Sequence, residues 1–102
     1  METYKIIIQP GALQDLEAIF RSNPGRWSFA ETYAYVEEIR GRFDALSQIP
    51  HRFSFDPHTR RPKTFRSFAY KAHKVFFTID EATKTVNIVA VLPSRTKYSA
   101  KL

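Results

Sequence analysis

The apolar residues change their spacing once along this 102-residue chain, and that change constrains the fold more than any other feature of the sequence. Between residues 10 and 50 they recur every three or four positions, which places side chains on one face of an α-helix. Between residues 65 and 92 they alternate with other residues, as in β-strands that bury one face. We therefore expect helices first and a sheet built mainly from the C-terminal part.

The helical part has clear start and stop signals. A short β-branched run, YKIIIQ at residues 4–9, predicts a first strand, and Pro10 both ends it and suits the first turn of a helix. Ser28 and Glu31 form the pattern of a capping box, which predicts the start of a second helix that Pro50 ends. A short turn joins the two helices, so we expect an antiparallel hairpin. The apolar stripe expected to face the core from the second helix comprises Phe29, Tyr33, Val36, Ile39, Phe43, Leu46 and Ile49.

Three strand-like runs follow: FRSFAY, HKVFFTI and TVNIVAVL. Residues 80–84 predict a hairpin turn between the last two. We expect an α+β fold with an N-terminal strand, the helical hairpin and a three-stranded antiparallel meander, so that the sheet is mostly antiparallel. Residues 1–102 are expected to form a single domain. The side chains predicted to share one sheet face are Val75, Phe77 and Ile79 on the middle strand, and Val86, Ile88, Ala90 and Leu92 on the last.

Several classes of function are disfavoured by what the sequence lacks. It has no cysteine, which excludes a disulfide framework, a thiolate metal site and a cysteine nucleophile. The three histidines lack metal-ligand spacing, and none of the common nucleotide-binding or hydrolase motifs is present, so no metal or cofactor is expected. No apolar run is long enough to cross a bilayer. A cytoplasmic protein without a membrane partner is the simplest interpretation.

The charge is unevenly distributed. Residues 1–59 carry six Lys/Arg and eight Asp/Glu, whereas residues 60–102 carry ten and two, within a formal net charge of +6. Such asymmetry predicts one basic surface and an anionic partner. The basic residues expected to converge on this surface are Arg60, Arg61, Lys63, Arg66, Lys71, Lys74, Arg95 and Lys97.

Three kinds of side chain on this basic surface are suited to bind phosphate, stack on a base or transfer a proton. Arginine offers a rigid fork for two phosphate oxygens. Tyr98 could stack on a base or move a proton, and His73 could act as an acid or base near pH 7. From the residues alone, the partner is nucleic acid or another acidic surface.

Over nearly its full length the chain resembles the RelE/ParE superfamily of toxins from bacterial type II toxin–antitoxin modules. The similar stretches are YKIIIQPGALQDLEAIF, then ALSQIPHRF at the end of the second helix, and then FRSFAYKAHKVFFTIDEATKTVNIVAVLPSRTKY. The individual motifs are degenerate, and their order and spacing are the specific part.

The resemblance implies a toxin that is held inactive, in a hetero-oligomer, by an acidic antitoxin with an extended or helical wrapping segment. Two activities occur in the superfamily: ParE-like members inhibit DNA gyrase, and RelE-like members cleave messenger RNA on the ribosome without a metal. For a gyrase inhibitor, the residues expected to bind the target are Arg60, Arg61, Lys63, Arg66, Lys71 and Lys97.

For a RelE-like nuclease, the resemblance implies catalytic roles for four residues. Lys74 takes the place of the arginine in the middle strand, and Arg95 that of the arginine after the last strand, where both would stabilise a pentavalent phosphate. Tyr98 or His73 would handle the proton of the ribose 2′-hydroxyl.

The sequence departs from the nuclease pattern in the middle strand. The usual Tyr-Arg pair is His73-Lys74, and Phe77 occupies the position of a later tyrosine. Lysine balances charge but lacks the bidentate fork of arginine. The long second helix also looks more like ParE. We therefore expect a ParE-like gyrase inhibitor (plasmid stabilisation protein), with the ribosome-dependent mRNA endonuclease as the alternative.

Overall fold

A computed structural model describes residues 3–21, 27–56 and 65–94 of the chain. The elements follow the order expected from the sequence, which confirms the predicted fold class. They are strand β1 (Lys5–Ile8), helix α1 (Pro10–Arg21), helix α2 (Phe29–Leu46), a 3₁₀ turn (Pro50–Arg52), and strands β2 (Arg66–Tyr70), β3 (His73–Asp80) and β4 (Thr85–Pro93).

The four strands form one sheet in the order β1-β4-β3-β2. Strands β2, β3 and β4 make the predicted antiparallel meander. Strand β1 pairs with β4 in parallel, so the sheet is mixed but mostly antiparallel. The turn between β3 and β4 forms as predicted, because the Asp80 carboxylate accepts hydrogen bonds from the backbone N–H groups of Ala82 and Thr83. Lys84 completes the turn with a φ of 51°.

Both helices pack on one face of the sheet, here called the helix face, which carries Val75, Phe77, Val86 and Ile88. Helix α2 begins at the predicted capping box: the Ser28 hydroxyl accepts from the N–H of Glu31, and the Glu31 carboxylate accepts from the N–H of Ser28. The helix-side core also receives these buried residues from the helices: Ala12, Leu16, Ile19, Tyr35, Val36, Ile39, Phe43 and Leu46.

The predicted apolar stripe of α2 is wrong at three positions. Phe29 and Tyr33 are exposed, and Ile49 is exposed beyond the end of the helix at Leu46. Thr32 and Tyr35 are buried instead. Each helical residue turns by about 100°, so once Thr32 faces the core, Tyr33 is carried out of it.

The prediction for β4 is wrong at its C-terminal end. Phe77 pairs with Ile88 while Phe76 pairs with Ala90, so Val89 is an extra residue in a β-bulge. A bulge reverses the alternation of the residues that follow it. Ala90 and Leu92 therefore do not share the helix face with Val86 and Ile88. They join the opposite face, here called the far face, in a second cluster with Phe65 and Phe76.

Candidate functional site

Lys74, the predicted phosphate-binding lysine, lies on β3 and is held by a buried carboxylate. Its ammonium is 2.9 Å from the Asp56 carboxylate, whose side chain is only 1% exposed. The Ser67 hydroxyl donates to the same carboxylate oxygen at 2.8 Å, and the Asp56 N–H donates to the carbonyl of Phe65 at 2.7 Å. Lys74 is thus part of a buried, hydrogen-bonded ion pair on the far face.

Arg66, on β2, is also bound within the chain. Its guanidinium donates to the carbonyl oxygen of Phe53 at 2.7 Å and lies 4.2 Å from the centre of the Phe55 ring. Both contacts hold residues 53–55, which precede β2 in the chain, against the sheet. The fork that was predicted to bind phosphate therefore holds a backbone carbonyl and stacks on an aromatic ring.

Lys71 lies in the turn between β2 and β3, with a φ of 51°. Its ammonium is 3.7 Å from the Glu38 carboxylate, in a pair that is largely exposed, and 5.4 Å from the centre of the Tyr70 ring. An exposed ion pair of this kind contributes roughly 0–1 kcal/mol. Lys71 is therefore held only loosely and remains able to contact a partner.

His73 begins β3 and contacts the helix-side core, not the Lys74 ion pair. Its Nδ1 is 2.7 Å from the hydroxyl of Tyr35 on α2, and the two groups share a hydrogen bond. Burial lowers the pKa of His73, so the ring is neutral at pH 7. Burial likewise raises the pKa of Tyr35. Successive residues of a strand face opposite sides, so His73 and Lys74 are separated by the sheet.

The remaining predicted site residues lie outside the described residues. These are Arg60, Arg61, Lys63, Arg95, Lys97 and Tyr98. Their convergence with Arg66, Lys71 and Lys74 therefore stays a prediction.

Sequence reasoning missed two residues of this region, Asp56 and Tyr35. Asp56 carried a usable signal, because it is the only acidic residue between Asp44 and Asp80. A single carboxylate in such a basic stretch is expected to form an ion pair with one of the neighbouring cations. Tyr35 carried no such signal, because its contact with His73 depends on how α2 crosses the sheet.

The described residues offer no evident place for a metal. Within residues 3–21, 27–56 and 65–94, no group of three or more His, Cys, Asp or Glu side chains could hold a metal ion. In the same ranges, neither helix is long and apolar enough to cross a membrane.

Three solved structures share this fold, a helical pair on one face of a mixed four-stranded sheet. A chain of the chromosomal ParDE system from P. aeruginosa has a TM-score of 0.73 and 15% identity, covering 89% of this chain and 96% of that one. A chain of the RelBE2 toxin–antitoxin complex from Mycobacterium tuberculosis has a TM-score of 0.62 and 23% identity, covering 94% and 97%. A chain of the archaeal RelE–RelB complex from Pyrococcus horikoshii OT3 has a TM-score of 0.53 and 14% identity, covering 92% and 99%.

The family follows from the sequence itself. The family described as the ParE toxin of the type II toxin–antitoxin system, parDE, matches residues 6–98. The chain belongs to this family and is a toxin of the ParE/RelE type. No functionally curated protein matches the chain.

Proposed function

We propose that this chain inhibits DNA gyrase and that an acidic antitoxin neutralises it, with both events in the cytoplasm. The ParE family assignment supports gyrase as the target. The observation that carries the proposal is the ion pair between Lys74 and Asp56, because it engages the lysine that a nuclease would need. The contacts of Arg66 with Phe53 and Phe55 support the same conclusion.

The separation of His73 from Lys74 is a second argument against phosphoryl chemistry in the described region. A general base and the cation that stabilises the developing charge must act on the same phosphodiester. Here the histidine bonds to Tyr35 on the helix face, and the lysine bonds to Asp56 on the far face. For a gyrase inhibitor, these residues need only maintain the shape of the toxin.

One observation favours the alternative, a ribosome-dependent mRNA endonuclease. The Tyr35–His73 hydrogen bond joins two groups that can donate and accept protons, and the His73 ring is neutral at pH 7. Such a pair could take the 2′-hydroxyl proton if Arg95 and Tyr98 completed a site beside it.

Two reactions with the purified chain distinguish these functions. In the first, gyrase and supercoiled plasmid are incubated with the toxin, and cleaved DNA is measured. In the second, ribosomes programmed with a defined mRNA receive the toxin, and mRNA cuts are mapped. We expect trapped DNA cleavage and an intact message. Message cleavage without an effect on gyrase would overturn the proposal.

A matched pair of variants then tests the role of Lys74. The double variant Asp56→Asn/Lys74→Met removes both charges while keeping side chains of similar size. We expect it to retain inhibition of gyrase within about threefold, a free-energy difference below 1 kcal/mol. A nuclease that used Lys74 would lose about a hundredfold or more in rate, as expected when a group that stabilises the transition state is removed. The Arg21→Met variant, which removes an exposed cation paired with Glu17 and outside the predicted target-binding residues, is the control.

A further inference from the structure

Two cations lie over the ring of Tyr70, which ends strand β2 on the helix face of the sheet. The Arg42 guanidinium, on α2, is 5.2 Å from the centre of the ring, and the Lys71 ammonium is 5.4 Å from it. Both charges therefore face one small part of the surface. The three residues Arg42, Tyr70 and Lys71 are here called the Tyr70 patch.

Contacts with helix α2 hold the Tyr70 ring in place before any ligand binds. The Tyr70 hydroxyl donates to the Glu38 carboxylate at 2.8 Å, and the ring packs against the buried ring of Tyr35 at 5.8 Å between centres. A platform fixed in this way limits the freedom of the cations that lie on it. Such preorganisation lowers the entropic cost of binding a ligand.

Arg42 has donors to offer to a partner. Within residues 3–21, 27–56 and 65–94, its guanidinium forms no ion pair. Glu38, one helical turn earlier and the acid best placed for it, instead contacts Tyr70 and Lys71. A cation–π contact uses the face of the guanidinium and leaves the N–H groups at its edge to donate. The fork that they form matches two oxygens of a phosphate.

Lys71 occupies a backbone position that disfavours lysine. It is the first of the two residues that join β2 to β3, and its φ of 51° lies in the left-handed region, where glycine and asparagine are preferred. A residue kept in such a conformation points to function, because glycine or asparagine would fill the position with less strain. The lysine side chain is also available to a ligand, since its pair with Glu38 is 3.7 Å long and largely exposed, and such pairs are weak.

The charges and the covered ring select the phosphate backbone of a duplex as the ligand. The Tyr70 patch has two cations, and its titratable neighbours are one carboxylate, Glu38, and His73, which is neutral at pH 7. A patch with net positive charge attracts phosphate. Single-stranded nucleic acid is bound by stacking of its bases on open aromatic rings. Here Arg42 and Lys71 lie over the Tyr70 ring, so the patch favours a double strand, whose phosphates lie on the outside.

We propose that the Tyr70 patch binds the phosphate backbone of duplex DNA. The Arg42 fork holds two oxygens of one phosphate, and the Lys71 ammonium exchanges Glu38 for a neighbouring phosphate. Contacts to phosphate fix the position of a protein on DNA without reading its base sequence. The inference rests on the proposed inhibition of gyrase, which acts on duplex DNA, and adds a direct contact between the toxin and that DNA.

Binding of the purified chain to a fluorescent duplex, measured by anisotropy at several KCl concentrations, tests these contacts. For duplex DNA, each phosphate contact contributes about 0.9 to the slope of log affinity against log salt concentration. We expect Arg42→Gln and Lys71→Asn each to reduce the slope by about 0.9, and the double variant to reduce it by about 1.8. Asparagine tolerates the φ of Lys71, so this variant removes the charge without straining the turn.

Two matched variants serve as controls for the loss of a cation. Arg21→Gln removes an exposed arginine that pairs with Glu17 on α1. Lys84→Asn makes the same change as Lys71→Asn in the turn between β3 and β4, where Lys84 also has a φ of 51° but pairs with Glu81 at 2.9 Å. We expect both controls to keep the wild-type slope, and thermal melting checks that every variant is folded. The inference is overturned if the wild-type chain shows no salt-dependent binding, or if the folded double variant keeps the wild-type slope.

Two further comparisons separate this inference from its alternatives. A single-stranded RNA of equal length that bound more tightly through Arg42 and Lys71 would make RNA the partner and overturn the choice of duplex DNA. In the gyrase reaction, the double variant should need about tenfold more toxin than wild type to trap the same amount of cleaved DNA. If both trap it equally well, the Tyr70 patch does not contact that DNA, while inhibition of gyrase stands. If wild type has no effect on gyrase, the proposed function is refuted, and the anisotropy slopes alone decide whether the patch binds DNA.

Discussion

The ion pair between Lys74 and Asp56 makes a quantitative prediction about stability. Replacing Lys74 with Met removes the ammonium 2.9 Å from a carboxylate that is 1% exposed. Breaking a buried ion pair from one side destabilises by about 3–5 kcal/mol, because an unpaired charge stays buried. Lys74 itself is 21% exposed, so we expect the lower end, about 3 kcal/mol.

This loss should be easy to measure by urea unfolding. Small domains have a stability of about 5–15 kcal/mol and lose roughly 1–3 kcal/mol per molar urea. The Lys74→Met variant should therefore unfold about 1.5 M earlier in urea than the wild-type chain. The double variant Asp56→Asn/Lys74→Met should recover most of the difference, to within about 1 kcal/mol of wild type, since it removes both charges of the pair. The double-mutant cycle, completed with the Asp56→Asn single variant, should then give a coupling energy of at least about 2 kcal/mol.

Lys71→Met is the control for the same chemical change at an exposed site. Its pair with Glu38 is 3.7 Å long, and the lysine side chain is 62% exposed, so its loss should alter stability by less than about 1 kcal/mol. The reasoning is refuted if Lys74→Met unfolds at the same urea concentration as Lys71→Met, or if the double variant is as unstable as the single one.

Three further predictions concern the ends of elements and pH. Ser28→Ala removes the side-chain acceptor of the α2 capping box and should reduce stability by about 1 kcal/mol, measured from the urea midpoint. Burial holds the pKa of His73 below its ordinary value of 6.5. As pH falls, this histidine is therefore protonated in the unfolded chain at a higher pH than in the folded chain. Stability should therefore fall as pH drops below 6.5, and His73→Gln should flatten that part of the profile of melting temperature against pH. Hydrogen bonds from Lys84 and His51 lower the pKa of Glu81 from 4.5 to about 2, so its stabilising effect is complete above pH 4.5 and is lost as pH falls toward 2. Glu81→Gln should remove that acid-dependent loss, and an unchanged melting profile below pH 4.5 would contradict the assignment.

The sequence predicted the elements well, because each one depends on local signals. The capping box at Ser28, the break at Pro10 and the turn after Asp80 all form as expected. Such features need only residues that are close in sequence, so a single chain is enough to recognise them.

The errors arose where the fold depends on contacts between distant residues. The bulge at Val89 reverses the faces of Ala90 and Leu92, and no residue in the alternating run marks it. Tyr33 fits a helical stripe in the sequence, but the crossing of α2 over the sheet buries Thr32 instead. Tertiary packing decided both cases.

The candidate site illustrates the same limitation of sequence analysis, because contacts between side chains cannot be read from the sequence. Charge counting identified Lys74 and Arg66 as basic residues near the sheet, which is correct, but it could not show that each already has a partner. A cluster of cations in sequence is evidence for an anionic partner only after internal carboxylates and carbonyls have been assigned. Asp56, a single acid in that stretch, performs this role for Lys74.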